Sequence, residues 1–195
     1  MFKKLMLGLM CAASLASFGE TGTVNMLYLG NSMTWHGIKA EIGWGGEGQA
    51  GGEWGMAATA PEKDYAHLTS AGYGKWCGRT PITRAVNIAT WEQNYTGYNV
   101  QLALADEIRF VSTAEVAVVV FAVGENIGAW DPTAFKTSFK NLVKTFTDIL
   151  GESAKTQAVV RSEFWRNNTR AAVMKEVADE LAAEEKAKKE KAKAK

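Results

Sequence analysis

The chain has 195 residues, 47% of them hydrophobic, and a formal net charge of +1. That length suits one globular domain with a substantial core, and the near-neutral charge offers no basic face for nucleic acid. Two cysteines (Cys11 and Cys77) and two histidines (His36 and His67) supply neither a disulfide framework nor metal-ligand spacing, so neither metal nor cofactor is expected.

In chain order, residues 1–20 have the composition of a secretory signal. Lys3 and Lys4 give a charged start, residues 5–15 an apolar run, and Ser14-Leu15-Ala16 a small-residue cleavage site. The apolar run is short for a bilayer span. A periplasmic or extracellular protein with no stable membrane insertion after cleavage is therefore expected, an uncleaved N-terminal anchor being the lesser reading.

Met26, Leu27, Tyr28 and Leu29 read as a buried strand, after which Gly30-Asn31-Ser32-Met33-Thr34 turns the chain into a helix. A serine at such a turn exposes its hydroxyl at the carboxyl end of the strand, where open α/β sheets place ligands. The positive end of the following helix would favour a developing oxyanion there. Asn-Ser beside Gly is equally ordinary turn and capping chemistry, so both readings stand at this point.

Residues 43–55 carry seven glycines and a formal G-x-G-x-x-G match at residues 46–51. A dinucleotide site needs a strand before that match and a helix after it; neither is visible, so a surface loop is expected. Ala60-Pro61-Glu62-Lys63-Asp64 reads as a helix start. A strand over residues 85–89 follows, then a helix over 98–110 with Val100, Leu104, Ile108 and Val111 on one face.

Residues 116–123 are an unbroken apolar run, the pattern of a parallel strand buried on both faces. Asp131-Pro132 then caps a helix with Phe135, Phe139, Leu142, Val143, Phe146 and Ile149 at helical spacing. A strand over 157–161 and a helix over 169–183 close the domain, which spans residues 24–183. Residues 184–195 contain only Glu, Lys and Ala, and with no apolar position to bury they read as a solvated, fraying tail. Strands alternating with helices predict a three-layer α/β/α sandwich around a parallel sheet.

Five segments together carry a family likeness: Gly30-Asn31-Ser32-Met33-Thr34, Trp35-His36-Gly37, Trp54-Gly55-Met56-Ala57-Ala58, Ala60-Pro61-Glu62-Lys63-Asp64-Tyr65 and Gly124-Glu125-Asn126. They resemble the SGNH (GDSL-like) hydrolase superfamily, in particular bacterial members with GNS-x-T and GEN in place of GDS and GND. The resemblance implies a flavodoxin-like fold and metal-free hydrolysis of acyl or acetyl esters of small molecules or glycans. By position it implies Ser32 as nucleophile and Asn126 as side-chain oxyanion donor. Asn87-Ile88-Ala89 matches the second block, with Ala89 as backbone donor although alanine stands where glycine is usual.

The family's last block, Asp-x-x-His after a fifth strand, is missing from this sequence. A sheet without its last strand is expected, and a serine hydroxyl is a weak nucleophile until a neighbour takes its proton. His36, four residues after Ser32, reads as a pocket or packing residue rather than a substitute base. His67 reads as an ordinary half-buried histidine, and Glu125 as positional. Trp44, Trp54, Trp91, Trp130 and Trp165 could line a sugar cleft or simply pack. Two functions remain open: a secreted esterase of doubtful activity, and a non-catalytic binding module derived from one. The oligomeric state is not legible.

Overall fold

The first strand, β1 (Thr23–Gly30), lies at the centre of the sheet because almost every residue on it is apolar and buried. A computed structural model of the protein describes residues 22–39, 41, 44, 53–56, 58–114, 116–150, 157–165 and 167–194. The predicted signal segment and the glycine-rich match at residues 46–51 lie outside them. Strand β1 pairs in parallel with β2 (Thr80–Asn87) on one side and β3 (Val116–Ala122) on the other. Strand β4 (Gln157–Val160) pairs in parallel with β3. The order β2-β1-β3-β4 is that of the flavodoxin-like doubly wound sheet as far as its fourth strand. After β4 the described residues contain one helix and no further strand.

Side chains alternate across the sheet, as strand geometry requires. Leu27, Leu29, Val119 and Phe121 face one way, onto the larger core. Met26, Tyr28, Val118 and Val120 face the other, where α1 (Tyr65–Cys77) brings Ala66, Tyr65 and Tyr73 against them. The larger core is roofed by α2 (Ala89–Gln93), α3 (Val100–Ala103), α4 (Ala105–Thr113), α5 (Pro132–Leu150) and α6 (Asn168–Lys193). The result is the three-layer α/β/α sandwich. Among the described residues, no helix is long and apolar enough to cross a membrane.

Several local expectations are corrected. The strand predicted at 85–89 is longer and earlier, ending at Asn87, and Ala89 already opens α2. The helix predicted over 98–110 is two helices that break at Leu104. The chain does not enter a helix after Ser32. Asn31 O instead accepts from Thr34 N at 2.8 Å and Trp35 N at 3.0 Å, and the chain leaves in an extended path that bridges His36 to Trp54. The helix-dipole argument for Ser32 therefore falls away.

The tail is solvated, as expected, yet helical through Lys193. Ala, Glu and Lys have high helix propensity, and earlier in the same helix Met174 and Val177 are buried in the core while a row of ion pairs reaches α5. Lys136 pairs with Glu176 at 2.8 Å and Glu180 at 2.6 Å, and Lys140 with Glu180 and Glu184 at 2.8 Å each. Hydrogen bonds from both lysines hold the Glu180 carboxyl down to about 2.

Phe139 is fully buried and stacks on Phe135 with centroids 5.6 Å apart. Phe139→Ala is expected to cost about 3–5 kcal/mol of stability through the cavity it leaves, read as a lower urea midpoint.

Candidate active site

Gly30 ends β1 because nothing larger fits. A Cβ there would overlap Thr34 Oγ1 and lie 2.8 Å from the Ala122 carbonyl oxygen. Thr34 folds back into that space, almost fully buried, with its hydroxyl 2.6 Å from Tyr65 Oη. Burial pushes the Tyr65 phenol up to about 12, so it stays neutral across ordinary pH.

Between Gly30 and Thr34 the turn is fixed by Asn31, which has no exposed surface. Its Oδ1 accepts from Met33 N at 3.0 Å, and its Nδ2 donates to Glu92 Oε1 at 3.0 Å and Glu125 Oε2 at 2.5 Å. Both amide protons are thus committed to carboxylates, which leaves Asn31 no free N–H for a ligand. Ser32 is half-exposed, and its carbonyl accepts from Met56 N at 2.9 Å. Segment 54–56 crosses the Ser32–Met33 backbone so closely that a Cβ on Gly55 would overlap Met33 O.

Asn126 reaches the same end of the molecule from β3. Gly30 is paired with Ala122 in the β1–β3 register, so Ser32 and Asn126 stand two and four residues beyond one rung. Gly124 has φ +131°, open only to glycine, and a Cβ there would meet Glu163 Cγ at 2.5 Å. The Asn126 backbone N–H donates to Glu92 Oε2 at 3.1 Å, and its Nδ2 donates to the same oxygen. Gly124 N donates to Glu92 Oε1 at 2.5 Å.

Glu92 therefore joins the ends of three neighbouring strands: it follows β2 on α2, and it binds the Asn31 turn after β1 and the Gly124–Asn126 loop after β3. It is fully buried. Sequence reasoning missed it, since a glutamate in a short polar stretch carries no local mark of burial. The residues after β4 complete the surround. Glu125 Oε1 accepts from Phe164 N at 2.5 Å and Arg161 Nη2 at 3.2 Å, while Arg161 lies over the Tyr65 ring at 5.0 Å.

Other sequence candidates fall elsewhere. His36 Nδ1 lies 2.6 Å from Gly37 O, and its ring packs edge-on against Trp44, whose own ring meets Trp54. It is a packing residue with no hydrogen bond to Ser32. His67 belongs to the start of α1: Asp64 Oδ1 caps His67 N at 2.7 Å and Oδ2 meets His67 Nδ1 at 2.8 Å. The Ala89 N–H donates to Asn87 Oδ1 at 2.9 Å, so it is spent on a local turn rather than free for an oxyanion. Trp91 is wholly in the core. Trp165, by contrast, is 67% exposed beside Phe164.

Among the described residues, no imidazole or carboxylate hydrogen-bonds the Ser32 hydroxyl, and no group of three or more His, Cys, Asp or Glu could hold a metal ion.

No protein-family model matches the sequence, and no curated protein matches it. Among solved structures the chain is similar to a family two carbohydrate esterase from Cellvibrio japonicus, at 16% identity and a TM-score of 0.44. The match covers 83% of this chain and 48% of that one, so the chain spans about half the length of that esterase. A likeness this distant assigns neither activity nor site residues.

Glu163 gives the site a pH dependence. Burial raises its carboxyl to about 7; Arg170, ion-paired with it, works against that rise, while the nearby Glu125 and Glu92 charges add to it. The folded chain thus holds a proton that the unfolded chain, with an ordinary glutamate near 4.5, gives up. The stability this contributes is complete below the unfolded value and is lost as pH rises through about 7. The melting temperature is expected to fall between about pH 5 and about pH 8, and Glu163→Gln is expected to flatten that slope.

Proposed function

We propose that this chain is a secreted ester hydrolase of SGNH type, acting on an acyl or acetyl ester of a small molecule or glycan. Ser32 is the nucleophile and Asn126 the side-chain oxyanion donor. One observation carries the reading: two residues 94 positions apart reach the tips of adjacent parallel strands and are bound to one buried carboxylate, Glu92 (Ser32 through its neighbour Asn31). In the reaction, the Ser32 oxygen adds to the ester carbonyl carbon. The carbonyl oxygen takes the negative charge and accepts from the Asn126 amide. Collapse breaks the bond to the alkoxide, which leaves as the alcohol by taking a proton from water, and a second water then hydrolyses the acyl-serine to the free acid and the restored Ser32 hydroxyl.

The Ser32 hydroxyl, without a basic partner among the described residues, limits the rate. Attack then relies on water as proton acceptor, and much of the acceleration a complete triad gives is lost, typically several orders of magnitude. The same observation favours a second reading, a binding module that retains the arrangement of these loops without the chemistry.

Hydrolysis of an aryl acetate by the full chain and by Ser32→Ala separates the two. A slow rate above buffer that the substitution abolishes is expected. Equal rates from both proteins would end the hydrolase reading and leave the binding module.

A further inference from the structure

We infer that Glu92 is the positioning residue that sets which end of the Asn126 amide is presented at the strand tips beside the Ser32 turn; this rests on the role just given to Asn126. An asparagine side chain ends in two groups of nearly the same shape and opposite hydrogen-bonding character. Turned one way it offers N–H to a ligand, and turned the other way it offers only oxygen. An oxyanion donor has to be held in the first state, and nothing in the residue itself enforces it.

The enforcement comes from the partner. An ionised carboxylate accepts and cannot donate, so the Asn126 edge against Glu92 must be nitrogen. Glu92 Oε2 takes the backbone N–H of Asn126 as well as its Nδ2, and this two-point grip fixes the side-chain torsions together with the loop. One Nδ2 proton is then consumed. The second has no protein partner among the described residues, and Asn126 is solvent-exposed. That proton is the one free to meet an oxyanion.

Two further contacts keep the grip rigid. Glu92 Oε1 is held by Gly124 N at 2.5 Å and Asn31 Nδ2 at 3.0 Å. The carboxylate thus receives four N–H donors and cannot rotate without breaking several of them. Those donors also spread its negative charge, which would otherwise oppose an oxyanion nearby. Because Asn31 precedes Ser32, the same carboxylate fixes the separation of nucleophile and donor.

The test has an arm that needs no catalysis. In a side-chain amide NMR spectrum of the full chain, with Asn126 identified by its loss in Asn126→Ala, one Nδ2 proton is expected to depart from its position in a free asparagine and the other to keep it. One should be shifted downfield and exchange slowly, and the other should behave as in a free asparagine. Both protons at their free-asparagine positions and exchanging rapidly would overturn the inference, whatever any variant does.

The second arm uses Glu92→Gln, which can present an N–H of its own and so permits the flipped amide. Where Ser32-dependent aryl acetate turnover is present, kcat is expected to fall roughly 100-fold with KM nearly unchanged, matching Asn126→Ala. The double variant should lose no more than either single one. A Glu92→Gln enzyme with full kcat, or a double variant with multiplied losses, would refute the positioning role. If the wild-type chain has no Ser32-dependent turnover, the hydrolase reading fails by itself and the NMR arm alone decides the position of the amide. If Glu92→Gln does not fold, the wild-type spectrum still decides.

Discussion

A buried carboxylate is held in this protein by four N–H groups, and the end of the sheet is organised around it. Glu92 costs desolvation energy wherever it is placed in a core. It is tolerated because the loops after β1 and β3 both turn their donors toward it. Small residues give each loop the shape this requires, since Gly30 admits Thr34 and Gly124 admits Glu163. The Asn31–Thr34 turn and the Gly124–Asn126 loop are thus two sides of one hydrogen-bonded unit.

Around that unit the charges are layered. Glu125 joins the Asn31 turn to Arg161 and the backbone of the loop after β4, and Arg161 rests on Tyr65, which closes on Thr34. Loops from β1, β3 and β4 and the start of α1 are therefore coupled through side chains rather than through a continuous core. Such networks favour one geometry, although the buried Nε of Arg161 has no hydrogen-bond partner among the described residues. The cost is sensitivity to protonation, and Glu163 is where that sensitivity is concentrated.

The proposed chemistry has an unequal balance. Electrostatic stabilisation of an oxyanion can be arranged by one strand end and one loop, whereas activation of a serine needs a base brought from elsewhere. Both histidines are committed to local partners, His36 to the Gly37 carbonyl and the Trp44 ring, His67 to Asp64. Neither is a free relay to Ser32. The ion pairs between α5 and α6 are half-exposed and add little, whereas Met174 and Val177 anchor that helix in the core.

Much of the fold was legible in the residues. The valine-rich run at 116–123, the phenylalanine stripe of α5 and the apolar start of β1 each declare their burial by local pattern, and alternation of strand and helix then leaves few topologies. Element ends were less legible: Ala89 lies in a helix and Leu104 breaks one, because short segments follow tertiary contacts over propensity. Ser32 and Asn126 stood out because their neighbouring glycines and polar residues form compact motifs. Glu92 did not, since its partners lie 61, 32 and 34 positions away and a glutamate carries the same one-letter signal in water or in a core. Sequence alone determined which segments would be strands and which side chains could do chemistry. Only the tertiary structure decided how those side chains face one another, because a hydrogen bond depends on distance and direction in space, which a linear spacing does not encode.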